Sequence, residues 1–559
     1  MSHTHWNVLP APAKLPEVPG IHPLVIKLLY NRGVREPEEI DLFLNTDERA
    51  HSDPFLIPDM AQAVLRTHQA LLSGEKIAVY GDFDADGITA TAILVQALRE
   101  LGASVMPYIP NRATEGYGLS QSALEKLREQ DVNLVITCDT GVTAVLEVEI
   151  AKKMRMDVVI TDHHVPVGPL PNARAVVNPK RSDSHYPLKD LAGVGVAYKF
   201  LQALLKDKNR DDILHNSLDL VAIGTIADLV ALVGENRWWV RQGLKLINNT
   251  QRPGLQELLR VANLQPGKLS EGNISWMIGP RINAAGRIDN ANTSYQLLMT
   301  QDSAEAAFLA AELDRKNAER VQQTNSLLAR ARDKIVASGS DRPILIATGE
   351  DFHSGVMGLV AGRLSEKFYR PVILIKLGKE TCRGSSRSIP EFDIIAALSQ
   401  CQDLLTRFGG HTRAAGLNLN PKDLAEFQQR MGGLARQQLE GLDLKPHIDI
   451  DAEVQLHSLQ RHVYDNMLRL APFGMGNPEP VFITRMAEVL DARQMGSNGE
   501  HLRLKLKQKN STWDAIGWNM GNYFAEVEKY IDAVFSLELN RWNSEEYLRL
   551  NLADISPSV

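Results

Sequence analysis

The sequence predicts an α/β protein built on a parallel sheet, with a second α/β domain reached through a long helix and a small β-barrel near the C-terminal end. Three observations carry this expectation. Short Val/Ile-rich runs alternate with amphipathic helical segments from Lys76 onward, a stretch free of Gly and Pro keeps helical spacing over about 305–336, and apolar and polar residues alternate with period two after about Lys445. At 559 residues the chain has room for several domains of roughly 100–200 residues. With 44% hydrophobic and 23% charged residues it resembles ordinary globular proteins, which excludes fibrous, collagen-like and wholly disordered classes.

Taken in order, residues 1–70 open Pro-rich and continue with short helical patterns such as HPLVIKLLYNRG, an N-terminal extension packed on the domain after it. Residues 71–300 form the first α/β domain. The run KIAVY, the loop GDFDADG and the helix ITATAILVQALRELG are followed by ASVMPYIP, by NLVIT with CDTG, by the helix VTAVLEVEIAKKM, by DVVIT with DHH, and by RAVVNPK. Strands separated by helices indicate a largely parallel sheet, and ligand sites of such sheets collect beyond the carboxyl ends of the strands. Residues 301–340 hold the connecting helix, and 341–443 a second α/β domain with strands PILIAT and PVILIKLG and the turn FGGHTRAAG. Over 444–559, HIDIDAEV, HLRLKLKQ and EYLRLNLADI alternate as strands of a small antiparallel β domain, a candidate barrel.

Lys and Arg number 61 against 68 Asp and Glu, a formal charge of -7, so a polyanion partner would need a local basic surface. Three scattered cysteines, Cys138, Cys382 and Cys401, show no zinc-ligand spacing and argue against a disulfide framework, which suits a reducing cytoplasm. No signal-peptide pattern opens the chain, and no uncharged apolar run reaches the ~18–20 residues of a membrane span. We therefore expect a cytoplasmic protein without membrane contact, and a monomer.

The chemistry concentrates at strand ends. Asp82, Asp84 and Asp86 place three carboxylates within five residues of one loop, where mutual repulsion in a partly dry cleft calls for cations. An EF-hand-like loop would need a Glu at position twelve, and counting from Asp82 that position is Ile93; a solvated acidic loop is the remaining bland alternative. The next strand delivers Asp139, and the one after it Asp162, His163 and His164. An imidazole among carboxylates suits Mn²⁺, with Mg²⁺ also compatible. Asp228 is the lone charged residue between Leu220 and Gly234, so it is ligated, hydrogen-bonded or at a helix end. Together Asp84, Asp86, Asp139, His163 and Asp228 suffice for two divalent cations with Asp139 shared. Such a pair activates water and neutralises charge on a phosphoryl group, which makes phosphoester hydrolysis the expected reaction class. Neither a P-loop nor a Gly-x-Ser-x-Gly elbow is present.

GDFDADG, CDTG, TDHH and GTIADLV resemble the successive motifs of the DHH phosphoesterase superfamily. PNRATEGYGLS, GPRINAAGR, HSGVMG, GSSRS and FGGHTRAAG resemble those of its bacterial RecJ branch, over roughly residues 75–420. The resemblance implies a DHH domain, a DHH-associated domain and a 5′-to-3′ exonuclease that degrades single-stranded DNA to mononucleotides with Mn²⁺ or Mg²⁺, in recombination and repair. It implies that Asp82, Asp84, Asp86, Asp139, His163 and Asp228 line the metal site with His164 beside them. It further implies that Arg112, Arg281, Ser385 and Arg387 hold the terminal 5′ phosphate or adjoining backbone, and that His411 lies near the scissile bond. Tyr80 stands where many superfamily members acting on small substrates place a metal-binding His. A RecQ-type helicase and a single-stranded-DNA-binding protein are the partners implied.

Residues 360–413 hold nine Lys/Arg against five acids, a local basic surface that is also compatible with a merely solvated face. The small-residue turn around Ser385 and Arg387 suits a phosphate. In HLRLKLK, Arg503, Lys505 and Lys507 share one face of a strand and Leu502, Leu504 and Leu506 the other. Beside Trp513 and Trp518 this reads as an OB-like single-strand-binding surface, unless the tryptophans belong to the core. Two other functions compete with the exonuclease: a hydrolase of short oligonucleotides, cyclic dinucleotides or pyrophosphate, and an inactive single-strand-binding scaffold.

Overall fold

The structure, a computed structural model, describes residues 4–10, 14–45, 49, 51–112, 114–542 and 545–558; Ala113 of the PNRATEGYGLS motif lies outside them. A first strand, β1 (His5–Val8), is followed by helices α1 (Pro23–Asn31), α2 (Pro37–Asn45) and α3 (Met60–Ser73). The alternating part comprises β2 (Ile77–Gly81), α4 (Ala85–Glu100), β3 (Val105–Tyr108), α5 (Gln121–Glu129), β4 (Leu134–Cys138), α6 (Val145–Lys153), β5 (Asp157–Thr161) and β6 (Ala175–Val177), continued by α7 (Gly193–Leu204) and α8 (Asp211–Ala227).

All five strands of this sheet are parallel, in the order β3-β2-β4-β5-β6. The order reverses between β2 and β4, and their carboxyl ends therefore flank the crevice where parallel sheets bind ligands. β2 and β4 are buried along their whole length, as helices on both faces require of a parallel strand. α4 is buried on nearly every side, because Ala and Thr let the sheet and α7 and α8 come close. The hydroxyls of Thr89 and Thr91 donate to the carbonyls of Ala85 and Gly87 at 2.8 and 2.7 Å, so these buried polar atoms are satisfied within the helix.

A helix of 36 residues, Ser303–Ser338, leads on to β7 (Leu345–Gly349), a helix over Ser354–Phe368, β8 (Val372–Lys376), β9 (Cys382–Arg387), β10 (Leu405–His411) and β11 (Ala414–Leu419). Their sheet runs β10-β11-β9-β8-β7, with only β7 and β8 parallel. The second domain is thus α/β with a mixed sheet.

The C-terminal strands are β12 (His447–Ile450), β13 (Ala452–Glu453), β14 (Phe482–Met495), β15 (His501–Gln508), β16 (Ser511–Gly517), β17 (Tyr530–Trp542) and β18 (Glu545–Pro557). β14 pairs with β15 along one part of its length and with β17 along another, and the ring β14-β15-β16-β18-β17 closes into a five-stranded barrel. The β14–β17 pairing shifts register between Thr484 and Ala487, where Met486 takes a positive φ of 55°, just before β14 takes up β15 from Glu488 onward; a bulge of this kind bends a strand around a barrel. The alternation in HLRLKLKQ is realised: Leu502, Leu504 and Leu506 are fully buried, each contributing about 1.5–3 kcal/mol by burial. Against the antiparallel expectation, β13–β14 and β16–β18 pair in parallel. Closing a ring of five strands forces at least one parallel pair, which alternation within a strand cannot reveal.

The N-terminal extension divides its packing. Ile57, Met60, Ala63 and Ala70 join the core of the parallel-sheet domain. Val25, Ile26, Leu28, Leu29, Ile40 and Leu44, from α1 and α2, join the barrel core with Phe482, Leu504 and Phe535. β1 pairs in parallel with β12. Half of the extension therefore packs on the far end of the chain and not on the domain adjoining it in sequence. By its contacts the chain divides into two compact units, residues 1–313 with 447–559, and residues 314–446. Among the described residues no helix is long and apolar enough to cross a membrane.

Candidate metal centre

The loop after β2 becomes the start of α4. Asp84 is its N-cap, accepting from the backbone N–H groups of Asp86 and Gly87 at 3.0 and 3.1 Å. A Cβ on Gly87 would stand 2.6 Å from the backbone N and O of Asp82, so only glycine lets the loop fold back this tightly. Asp86, buried, turns to the N-terminus of α7 and accepts from Gly193 at 2.5 Å and Val194 at 2.8 Å, as a carboxylate at the positive end of a helix does. At the end of β4, Asp139 holds a positive φ of 62°, costly for a non-glycine residue and found where function fixes the backbone. A Cβ on Gly193 would lie 2.5–2.7 Å from its side chain. At the end of β5, Asp162 accepts from the backbone N–H groups of Val142, His163 and His164 at 2.9, 2.7 and 3.1 Å and contacts His164 Nδ1 at 2.8 Å, which fixes the His164 ring and the backbone that carries His163. Asp228 ends α8, on the carbonyl side, where a carboxylate is disfavoured unless a cation offsets it.

These elements bring the side chains together. His163 Nε2 lies 3.0 Å from Asp139 Oδ1 and 4.0 Å from Asp86 Oδ2, and His163 Nδ1 lies 3.6 Å from Asp228 Oδ2. Ligand atoms of Asp82, Asp84 and Asp139 lie within 4.8 Å of one another, as do those of Asp86, His163 and Asp228, and those of Asp139, His163 and His164. Among the described residues, Asp82 Oδ1, Asp139 Oδ1 and His163 Nδ1 are buried without a hydrogen-bond partner, a costly condition for polar atoms.

Burial and the charge of Asp84 push Asp86 up to about 7, and burial with Asp86 and Asp84 pushes Asp228 up to about 9. Asp82 and Asp139 rise well above the carboxylate range for the same reasons, burial first. Burial and neighbouring His164 push His163 down to about 3, leaving a neutral imidazole with a lone pair to give. Burial works against the charge of Asp162 and of His164, but their hydrogen bond prevails, holding Asp162 below its ordinary value and His164 above. Crowded carboxylates that repel one another, a neutral imidazole and orphaned donor atoms together fit divalent cations of mixed N/O preference.

Other residues marked in the sequence fall in separate places. Arg112 lays its guanidinium 5.2 Å over the Phe83 ring, beside the acidic loop; burial of the guanidinium lowers its pKa against the pull of Asp82 and Asp84. Arg281 lies on the helix Gly279–Ile288 and donates to the Met277 carbonyl at 2.8 Å. In the second unit, Ser385 and Arg387 lie on β9, a strand where the sequence suggested a small-residue turn, because both edges of the run are paired, with β8 and β11; FGGHTRAAG likewise is mostly strand, β10 and β11, with the turn confined to Thr412 and Arg413. A Cβ on Gly358 would be 3.2 Å from both Ser385 Oγ and Arg387 Nη2, so the helix Ser354–Phe368 approaches both groups. His411 pairs with Ala414, and Ala414 with Arg387, which sets His411 and Arg387 in one row about 10 Å apart. On the barrel, Arg503, Lys505 and Lys507 are exposed, but acids flank them: Arg503 pairs with Asp514 at 3.2 Å, and Asp491 and Glu488 stand opposite Lys505 and Lys507. Trp513 packs on the core, whereas Trp518 stays 47% exposed against His501.

The contacts of several residues of this centre are not legible in the sequence. Asp162 stands out in TDHH as a strand-end acid, but the motif gives no sign that its carboxylate gathers three backbone amides and the His164 ring. Gly193 and Gly224 allow close approach to Asp139 and Asp86, and a glycine in a helix gives no hint of its neighbour. Asn283 Oδ1 accepts from the Ala85 N–H at 2.7 Å, and Tyr117 Oη stands 3.2 Å from His164 Nε2. Both sit in noticed motifs, GPRINAAGR and PNRATEGYGLS, whose contacts only folding defines.

Residues 76–225 match the DHH family N-terminal domain, 341–437 the DHHA1 domain and 450–554 the RecJ OB domain. A Bacillus subtilis (strain 168) protein named single-stranded-DNA-specific exonuclease RecJ is 38% identical over 542 residues, covering 96% of this chain and 68% of that protein. The protein of the same name from Salmonella typhimurium is 34% identical over 580 residues, covering 98% and 97%. The crystal structure of RecJ in complex with Mn²⁺ from Thermus thermophilus superposes with a TM-score of 0.85 at 29% identity, covering 100% of this chain and 80% of that one. From these full-length similarities, the chain belongs to the RecJ family.

Proposed function

We propose that this chain is a metal-dependent exonuclease that removes 5′-mononucleotides from the 5′ end of single-stranded DNA by phosphodiester hydrolysis, in recombination and repair. The observation that carries the reading is the cluster of Asp82, Asp86, Asp139, Asp228 and neutral His163, in which Asp82 Oδ1, Asp139 Oδ1 and His163 Nδ1 are buried without a hydrogen-bond partner among the described residues. Asp82, Asp84 and Asp139 would hold one divalent cation, and Asp86, His163 and Asp228 a second, with Asp139 adjoining both. Mn²⁺ and Mg²⁺ are the ions proposed. Bound there, they would lower the pKa of water and neutralise charge building on the phosphoryl oxygens.

The remaining work falls to the chain's own groups. Asp86, anchored on two backbone amides, and Asp139, locked by its backbone, keep their carboxylates pointed inward before substrate arrives. His164, fixed by Asp162 through Nδ1, presents Nε2 on the open side beside Tyr117, suited to a phosphate oxygen. We assign phosphate binding to Arg112 and Arg281 and, in the second unit taken by itself, to Ser385 and Arg387, with His411 in the row of Arg387. Arg503, Lys505 and Lys507 with Trp518 are proposed to hold single-stranded DNA by charge and stacking. We also propose a monomer in the cytoplasm, where the three buried free cysteines stay reduced, with a RecQ-type helicase and a single-stranded-DNA-binding protein as partners.

The test is digestion of one oligonucleotide labelled at either terminus, with Mn²⁺ supplied. We expect mononucleotides from the 5′ end and activity reduced at least about 10³-fold in Asp139→Ala. Release from the 3′ end overturns the polarity, and equal efficiency on a dinucleotide and a long strand favours a short-oligonucleotide hydrolase. Tight binding without cleavage would indicate a scaffold.

A further inference from the structure

The first backbone N–H groups of an α-helix have no partner inside it, and a buried one needs an acceptor from elsewhere. At the start of α4 these amides are accounted for one by one. Asp84 Oδ1 takes those of Asp86 and Gly87, and the Asp84 carbonyl takes that of Ile88 at 2.8 Å. The remaining amide, of buried Ala85, is taken by the side chain of Asn283 at 2.7 Å, 198 residues away in sequence. Ala85 lies between Asp84 and Asp86, so this bond pins the backbone between two carboxylates of the cluster. The helix that carries Asn283, Gly279–Ile288, presses on the same loop a second time: a Cβ on Gly286 would meet the Phe83 carbonyl oxygen at 2.5 Å. An aspartate at 283 would accept the bond equally well but add an anion beside Asp82, Asp84 and Asp86, whereas asparagine is neutral.

We infer that Asn283 is a positioning residue of the metal centre: through its bond to the Ala85 amide it sets the spacing of Asp84 and Asp86, and with it the affinity of the site for divalent cations. The inference rests on the proposed metal site and adds to it a neutral anchor from a different element. Loss of the acceptor leaves the Ala85 amide unpaired, and the loop relaxes away from the geometry that two cations select. Because saturating metal draws the loop back, the defect lies in the concentration of metal required and much less in the maximal rate.

Calorimetric titration of the full-length protein with Mn²⁺, wild type against Asn283→Ala and Asn283→Asp, tests this without turnover, and nuclease activity against Mn²⁺ concentration adds a second readout. Asn283→Ala should weaken Mn²⁺ binding about tenfold or more and shift the half-saturating concentration equally, with kcat at saturating Mn²⁺ within about threefold of wild type. Asn283→Asp, which keeps the acceptor, should bind Mn²⁺ at least as tightly as wild type, so it keeps the test decisive if the alanine variant folds poorly. Wild-type Mn²⁺ affinity in Asn283→Ala, with only thermal stability lowered, overturns the inference; so does an aspartate variant as weak as the alanine one. Failure of the wild type to bind Mn²⁺ refutes the metal site itself, a separate outcome.

Discussion

At the scale of single residues, the centre is held by groups that point carboxylates and imidazoles and need not touch a cation themselves. Asp162 is the clearest: one buried carboxylate receives three backbone amides and the His164 ring, so it fixes the His164 ring and the turn of backbone that carries both histidines after β5. Asp162→Asn keeps the size of the side chain but loses the charge that fixes His164. We expect kcat to fall about 10²-fold, as for outer partners of metal-site histidines, with single-strand affinity retained; steady-state kinetics beside a binding titration in Ca²⁺ would check it. A loss of DNA affinity with kcat intact would contradict this role. The motif TDHH exposed the residue types, but its two histidines shift in opposite directions: His163 is pushed down to about 3 and His164 is raised. That contrast follows from depth of burial and from which ring meets Asp162, neither of which a four-residue pattern contains.

At the scale of elements, strand ends decide chemistry and strand beginnings decide stability. Asp157 opens β5 and binds Arg66 of α3 at 2.7 Å and Arg174 at 2.8 Å. Burial raises its pKa, but the two guanidinium bonds prevail and hold it below the usual carboxylate value. A depressed folded-state pKa stabilises above the unfolded value near 3.9 and is lost as pH falls through the folded one. Asp157→Asn should therefore cost about 1–3 kcal/mol at pH 7 and progressively less below about pH 4, read from urea unfolding at several pH values; a penalty unchanged at pH 2 would refute the assignment. On β15 the basic face predicted from alternation is present, yet its acidic neighbours weaken the field. Replacing Lys505 and Lys507 by alanine should lower the slope of log affinity against log salt by at most about 1 for each phosphate no longer neutralised. An unchanged slope would move the DNA path off this face.

For the whole molecule, a metal centre assembled from distant parts of the chain ties metal binding to folding. Asp82, Asp139, His163 and Asp228 come together only in the native state, so cations bind it and scarcely bind the unfolded chain. Mn²⁺ at ~100 times its Kd should then stabilise the protein by about 2.7 kcal/mol, and a chelator should reverse the shift in thermal unfolding. Asp139→Ala should show little of it; a full shift in that variant would mean the ion binds elsewhere. The N-terminal residues show the same principle in packing, since α1 and α2 complete the barrel core more than 400 residues later in sequence. A truncation before Pro37 should accordingly weaken the barrel rather than leave it intact.

The sequence by itself determined the alternating strands and helices of the first domain with their parallel sheet, the long helix, the alternating barrel strands and the ligand-type residues at strand ends, but not the strands β9 and β10, whose Gly/Ser-rich runs read as turns. These follow from local periodicity and from the cost of crowding uncompensated charge, both written in neighbouring residues. Tertiary structure alone decided that Asp228 reaches His163, that Gly193 must admit Asp139, that Asn283 caps α4 and that the N-terminal helices belong to the barrel. Each of those is a contact between segments far apart in the chain. Which distant partner a buried group finds depends on strand order and ring closure, which nearest-neighbour patterns do not encode.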